Sequence, residues 1–108
     1  AARRVENRLA GMDCNPYLGI AASLACGLLG MINKDRPDAE FKGDAYAGEA
    51  DIPRVLGNAL DMFDEATDLH DMLGPEFARV YSIVKRAEYE EFLQVISPWE
   101  REHLLMNV

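Results

Sequence analysis

Apolar and polar positions change period several times along this chain. Over Arg3-Arg4-Val5-Glu6-Asn7-Arg8-Leu9 they alternate: Arg4, Glu6 and Arg8 fall on one side, Val5, Asn7 and Leu9 on the other. That period of two predicts a strand over 3–9. Gly11 and Asp13 mark a turn over 10–14. Asn15-Pro16 then predicts a helix start, with Asn as N-cap and Pro at the first helical position. The run from Tyr17 to Ile32 carries no charge. It reads as a helix over roughly 16–32, apolar on every side and therefore buried on every side. With three glycines and a serine it is short for a membrane span.

Residues 33–53 read as a loop broken by Pro37, Gly43, Gly48 and Pro53. A loop this long in a compact domain is usually functional or packs on a partner. A helix over 55–66 follows, with Leu56, Ala59, Leu60 and Phe63 on one stripe. Thr67 is placed to cap a short helix over 67–73 that ends at Gly74. Pro75 opens a long amphipathic helix over 75–96, in which Phe77, Val80, Tyr81, Val84, Ala87, Phe92, Val95 and Ile96 recur at helical spacing. Ser97-Pro98-Trp99-Glu100 is a capping box that starts a last helix over 98–105. The fold class expected is mainly α with one short N-terminal β-strand, without internal repeats.

Composition narrows the picture. At 108 residues there is room for one small domain, and 49% hydrophobic against 28% charged residues is a globular balance rather than a disordered one. The net charge is −8, which argues against a nucleic-acid binder and against docking on an anionic membrane. The charge is uneven: five basic and three acidic residues lie in 1–36, two and eleven in 37–76, four and five in 77–108. Two cysteines, Cys14 and Cys26, suit a reducing cytosol better than a disulfide scaffold. The chain opens without an initiator Met or an apolar leader. An uncharged helix with little around it to bury it, in so short a chain, reads as a piece of a longer protein.

Of the candidate chemical groups, the row Arg4, Glu6, Arg8 is the most informative. On a strand the three share a face at about 6.5–7 Å intervals. A carboxylate between two guanidiniums can hold a divalent metal with anionic ligands beside it; equally, the row can be a solvated face of surface ion pairs. His70 and His103 with Cys14 and Cys26 lack zinc-ligand spacing. Gly27-Leu28-Leu29-Gly30 lies in the apolar run and lacks the Lys-Ser/Thr of a phosphate loop. Asp61, Asp64, Glu65, Asp68 and Asp71 read as a solvated outer helix face without a calcium-loop pattern. Tyr46, in Gly43-Asp44-Ala45-Tyr46-Ala47-Gly48, is either a modification site or a packing residue.

Taken together, Arg3-Arg4-Val5-Glu6-Asn7-Arg8-Leu9, the Cys14-Asn15-Pro16-Tyr17-Leu18 start, the apolar run to Gly30, Ile52-Pro53, Lys85-Arg86-Ala87-Glu88 and Pro98-Trp99-Glu100-Arg101-Glu102 resemble the glutamine synthetase family. The likeness is to the end of the catalytic domain of the bacterial type I enzymes, and it covers essentially the whole chain. It implies the C-terminal helical part of an α+β catalytic domain, residues 1–108. It also implies a parent that joins the γ-carboxylate of glutamate to an amine at the expense of ATP, through γ-glutamyl phosphate.

By the same resemblance Glu6 is the metal ligand, Arg4 binds the nucleotide phosphates, and Arg8 is catalytic, facing the reacting carboxylate or the transferred phosphoryl group. ATP and Mg2+ or Mn2+ are the cofactors of the parent, with none held tightly by these residues alone. The expected partners are the rest of the catalytic domain, glutamate, ammonia or an amine, and further copies of the protein in a cytoplasmic ring joined through residues 98–108. Regulated type I enzymes carry Tyr within Asn-Leu-Tyr-Asp-Leu-Pro; Asp44-Ala45-Tyr46-Ala47-Gly48-Glu49 lacks that context, so adenylylation is not expected. The flanking motifs look closer to γ-glutamylpolyamine synthetases than to ammonia-using enzymes. The rival reading is a stand-alone acidic helical interaction module.

Overall fold

The computed structural model describes residues 2–4, 6–44 and 52–105. Five helices follow in order: α1 Pro16–Asn33, α2 Leu56–Glu65, α3 Thr67–Leu73, α4 Pro75–Leu93 and α5 Pro98–His103. The described residues are thus mainly helical and contain no strand. The strand expected over 3–9 is not found among the described residues of that segment. A strand is held by hydrogen bonds to a neighbour, and no described residue offers this segment a ladder.

Each helix end has a local cause. Asn15 caps α1 by accepting from the Tyr17 and Leu18 N–H groups, and Pro16 fills the first position, where no donor is needed. α1 closes with Lys34 in the left-handed region (φ 57°), its N–H bonded to Met31 O and the Asp35 N–H to Gly30 O. That pair of bonds satisfies carbonyls the helix leaves open. Thr67, expected as a cap, is instead the first residue of α3; Ala66 precedes it without a side-chain cap. Gly74 (φ 95°) joins α3 to α4 in a conformation that residues with a Cβ rarely adopt. α4 stops at Leu93, short of Ile96, as the Gln94 and Val95 N–H groups tighten onto Glu91 and Phe92. Ser97 is then extended, as the residue before a proline must be. It caps α5 in a complete capping box: the Glu100 N–H donates to Ser97 Oγ at 3.1 Å and the Ser97 N–H to Glu100 Oε2 at 2.7 Å. α5 ends at His103 rather than 105.

α2 and α4 run antiparallel along a seam of small and polar residues. At one end the Tyr89 ring lies so close over Gly57 that a Cβ there would sit 3.1 Å from it. Leu60 and Ser82 are buried in this pairing, and Ala78 is buried further along α4. At the other end Asp64 accepts from Ser82 Oγ at 2.6 Å and from Arg86 Nε at 3.1 Å, and Arg86 also reaches Asp61 at 2.9 Å. Asp61 and Asp64 are thus exposed, as expected of an outer face, and also take part in the joint. Phe63 ties in α3, with its ring centroid 4.7 Å from His70 and 5.6 Å from Tyr81. α1 lies against α3.

The packing stops there. The radius of gyration is 18.0 Å, against about 13 Å for a compact chain of this length. The accessible surface is 10141 Å², against about 6,000 Å² for a compact protein of this mass. On α4 the buried residues are the small ones, Ala78 and Ser82, while Phe77, Val80, Ile83 and Val84 face outward.

The α2–α4 joint generates a pH prediction. The Ser82 hydroxyl and then the Arg86 guanidinium hold the Asp64 carboxyl below its ordinary value. Its contribution is therefore present above the unfolded-state value and is lost as pH falls through the lowered folded value. Thermal melts between about pH 6 and pH 2 should show an acid-dependent loss that Asp64→Asn flattens.

Candidate functional site

The candidate site grows out of the segment before α1. The Asn7 side chain works in two directions: Oδ1 accepts from the Leu9 N–H at 3.0 Å, and Nδ2 donates to Ser23 Oγ on α1 at 3.0 Å. The Ser23 hydroxyl in turn donates to Gly19 O at 2.8 Å. This short chain of bonds pins the segment across the first half of α1. There Gly19 leaves room for Cys14 and Ala10, whose atoms would lie 3.4 and 3.9 Å from a Cβ at that position. An open groove of about 380 Å³ runs along the contact, lined by Asn7, Ala10, Cys14, Gly19, Ser23 and Leu24.

With Asn7 turned to α1, Glu6 and Arg8 are brought together. Arg8 Nε donates to Glu6 Oε1 at 2.7 Å, with both side chains largely exposed. Arg4 is exposed and joins no ion pair among the described residues. The structure thus unites two members of the sequence row and leaves the third apart. Asn7 is the positioning residue that reading the chain for chemistry passes over. Its signal is a polar residue at the middle of an otherwise apolar alternate set, between Val5 and Leu9.

Glu6 offers hard carboxylate oxygens, the ligands that Mg2+ or Mn2+ takes, and the two guanidiniums offer the charge that phosphate oxygens need. These residue types fit one edge of such a centre. Among the described residues no three His, Cys, Asp or Glu side chains gather to complete it. His70 is occupied otherwise: its Nε2 lies 2.7 Å from Phe63 O, so the ring donates there. His103 Nδ1 lies 3.1 Å from Trp99 O, with the two rings stacked at 4.8 Å. Cys14 and Cys26 are free thiols and exposed. Tyr46 lies outside the described residues. A second groove of about 510 Å³, between Val55-Leu56 and Tyr89-Phe92, is built by other elements.

α1, at 18 residues with a mean hydropathy of 1.4, is long and apolar enough by length and composition to cross a membrane. That is longer than the run read from the sequence, and the core helix of a soluble protein passes the same test.

Comparison with known proteins gives the class. The chain belongs to the glutamine synthetase family: the model of the glutamine synthetase catalytic domain matches residues 1–104. Among its relatives, a glutamate–isopropylamine ligase of a Pseudomonas species is 36% identical over 104 residues, which is 93% of this chain and 23% of that enzyme. Gamma-glutamylputrescine synthetase of Escherichia coli is 37% identical over 105 residues, 96% of this chain and 22% of the relative. Type-1 glutamine synthetase 2 of Dictyostelium discoideum is 36% identical over 110 aligned positions, 96% and 21%. The chain therefore spans between a fifth and a quarter of the length of these relatives. No solved structure matches it significantly. The match along nearly the whole chain leaves the stand-alone interaction module without support.

The incomplete ligand set yields a direct test. Calorimetric titration of the 108-residue chain with Mg-ATP should show no micromolar binding, because a stable metal–nucleotide site needs several ligands and a shaped pocket.

Proposed function

We propose that residues 1–108 are the C-terminal part of the catalytic domain of a longer, cytoplasmic, ATP-dependent ligase that joins the γ-carboxylate of glutamate to ammonia or an amine through γ-glutamyl phosphate. The observation that carries the reading is the family match over residues 1–104. The relatives named above include a glutamine synthetase and ligases of glutamate with amines. That spread keeps both acceptor classes in view, with a lean to amines from the motifs.

Within the parent, Glu6 contributes one carboxylate to the divalent ion at the ATP phosphates, Arg4 faces those phosphates, and Arg8 faces the reacting carboxylate or the transferred phosphoryl group. The physical logic is neutralisation. Phosphoryl transfer is accelerated mainly by positioning and by fixed positive charge where negative charge develops. Alone, the 108 residues bring one carboxylate and are inactive. The apolar faces left open on α1 and α4 are covered by the rest of the domain. The exposure of Trp99, Leu104 and Leu105 supports a reading in which residues 98–108 dock on a neighbouring subunit of a homo-oligomeric ring.

The experiment for the activity is phosphate release by the purified parent, dependent on ATP, glutamate and an acceptor, run with ammonia and with alkylamines. No glutamate-dependent release with any acceptor would refute the reading. Glu6→Gln keeps the shape and removes the ligand charge, so turnover should fall by roughly two orders of magnitude or more with the fold intact. Deleting residues 103–108 should dissociate the rings while each subunit stays folded; an unchanged sedimentation coefficient would rule out the docking role.

A further inference from the structure

We propose that Arg8 is a stand-in for the divalent cation at Glu6: in the metal-free protein its guanidinium holds the carboxylate, and it turns to the anionic substrate groups when the cation takes Glu6. The proposal rests on the roles given above to these two residues. What it adds is an exchange between them, read from the geometry.

Arg8 Nε sits 2.7 Å from Glu6 Oε1. The residue between them, Asn7, is committed to α1 through Ser23. With Asn7 held there, Glu6 and Arg8 are left to pair with each other. A divalent cation binds carboxylate oxygens at roughly 2.0–2.6 Å. A cation that close to Glu6 would lie a few ångströms from the guanidinium, repel it, and weaken the charge-assisted bond to Oε1. Cation binding and the Arg8–Glu6 pair therefore oppose each other. The pair is open to water at both ends, with 84% of the Arg8 and 57% of the Glu6 side chain exposed. Exposed pairs of this kind are weak, so this one can yield to a cation instead of blocking it.

Two consequences follow. In the absence of metal, the Arg8 guanidinium neutralises the Glu6 carboxylate. Once the cation has taken Glu6, the Nε donor of Arg8 is released, and the whole guanidinium can turn its five N–H groups to a carboxylate or phosphoryl group. Cation and anionic substrate each compete with one half of the same pair. Each must then strengthen the binding of the other, because coupling between two ligands is reciprocal.

The test uses the full-length protein and Mn2+, with free ion followed by electron paramagnetic resonance and without nucleotide. Glu6→Gln should weaken binding roughly tenfold or more. Arg8→Gln should tighten it roughly two- to fivefold, the worth of an exposed ion pair. Glutamate should tighten Mn2+ binding to the wild type and leave Arg8→Gln unaffected. Adding Mn2+ to the wild type should raise the reactivity of Arg8 toward phenylglyoxal, read by peptide mass spectrometry. Unchanged or weaker Mn2+ binding in Arg8→Gln overturns the proposal. So does tighter binding with no gain in Arg8 reactivity, which would be charge repulsion without exchange. If Glu6→Gln binds Mn2+ as the wild type does, the metal role of Glu6 fails, and the exchange falls with it for that separate reason.

Discussion

A helix that is apolar on every side can be buried only by something on every side. α1 sets that condition for the whole chain. Leu18, Ala22, Ala25 and Leu29 follow one stripe and are at least partly covered. Tyr17, Ile20, Leu24, Leu28 and Met31 follow another and remain in solvent, with Tyr17 82% and Met31 72% exposed. The third side carries Gly19, Ser23, Cys26, Gly27 and Gly30, flat enough for another backbone to approach; nothing lies within 4 Å of a Cβ at Gly27. The hydrophobic effect scales with the apolar area removed from water. With so much of that area left in water, the fold is expanded, and α4 repeats the condition with its outward Phe77, Val80 and Val84.

What order exists within the described residues is therefore carried to an unusual degree by polar contacts. Asp61, Asp64, Ser82 and Arg86 join α2 to α4, and Asn7 and Ser23 hold the N-terminal segment on α1. Such bonds specify register more than they supply stability, since each exchanges a bond to water for one within the protein. The same division serves the proposed chemistry. The helices fix where the segment lies, and the segment presents Glu6 and Arg8 as a pair.

Local signals were legible in the sequence because they are local. The Asn15-Pro16 start of α1 and the Ser97–Glu100 capping box need only neighbours within four residues, and both are found in the structure. The strand over 3–9 was read from a sound alternation, but a strand needs a partner and an alternation cannot supply one. The large apolar residues of α4 form a stripe in the sequence, yet a stripe alone does not say which face is covered: on α4 the buried residues are the small ones, Ala78 and Ser82. Asp61 and Asp64 read as solvated since carboxylates usually are; the matching Ser82 and Arg86, four apart on α4, are a non-local complement that spacing within α2 does not show. Of the site, the residue types in the row and the family were legible. The pairing of Glu6 with Arg8 goes with the bond from Asn7 to a partner sixteen residues away.

The central claim is that the open faces of these helices are interior surfaces of a larger catalytic domain. Side-chain solvent access in the native full-length protein measures it directly. Hydroxyl-radical footprinting reads Tyr17, Leu24, Leu28 and Met31 one by one. The account predicts strong protection of all four in the native protein and rapid labelling once it is unfolded. Labelling of these residues at the same rate before and after unfolding would contradict it.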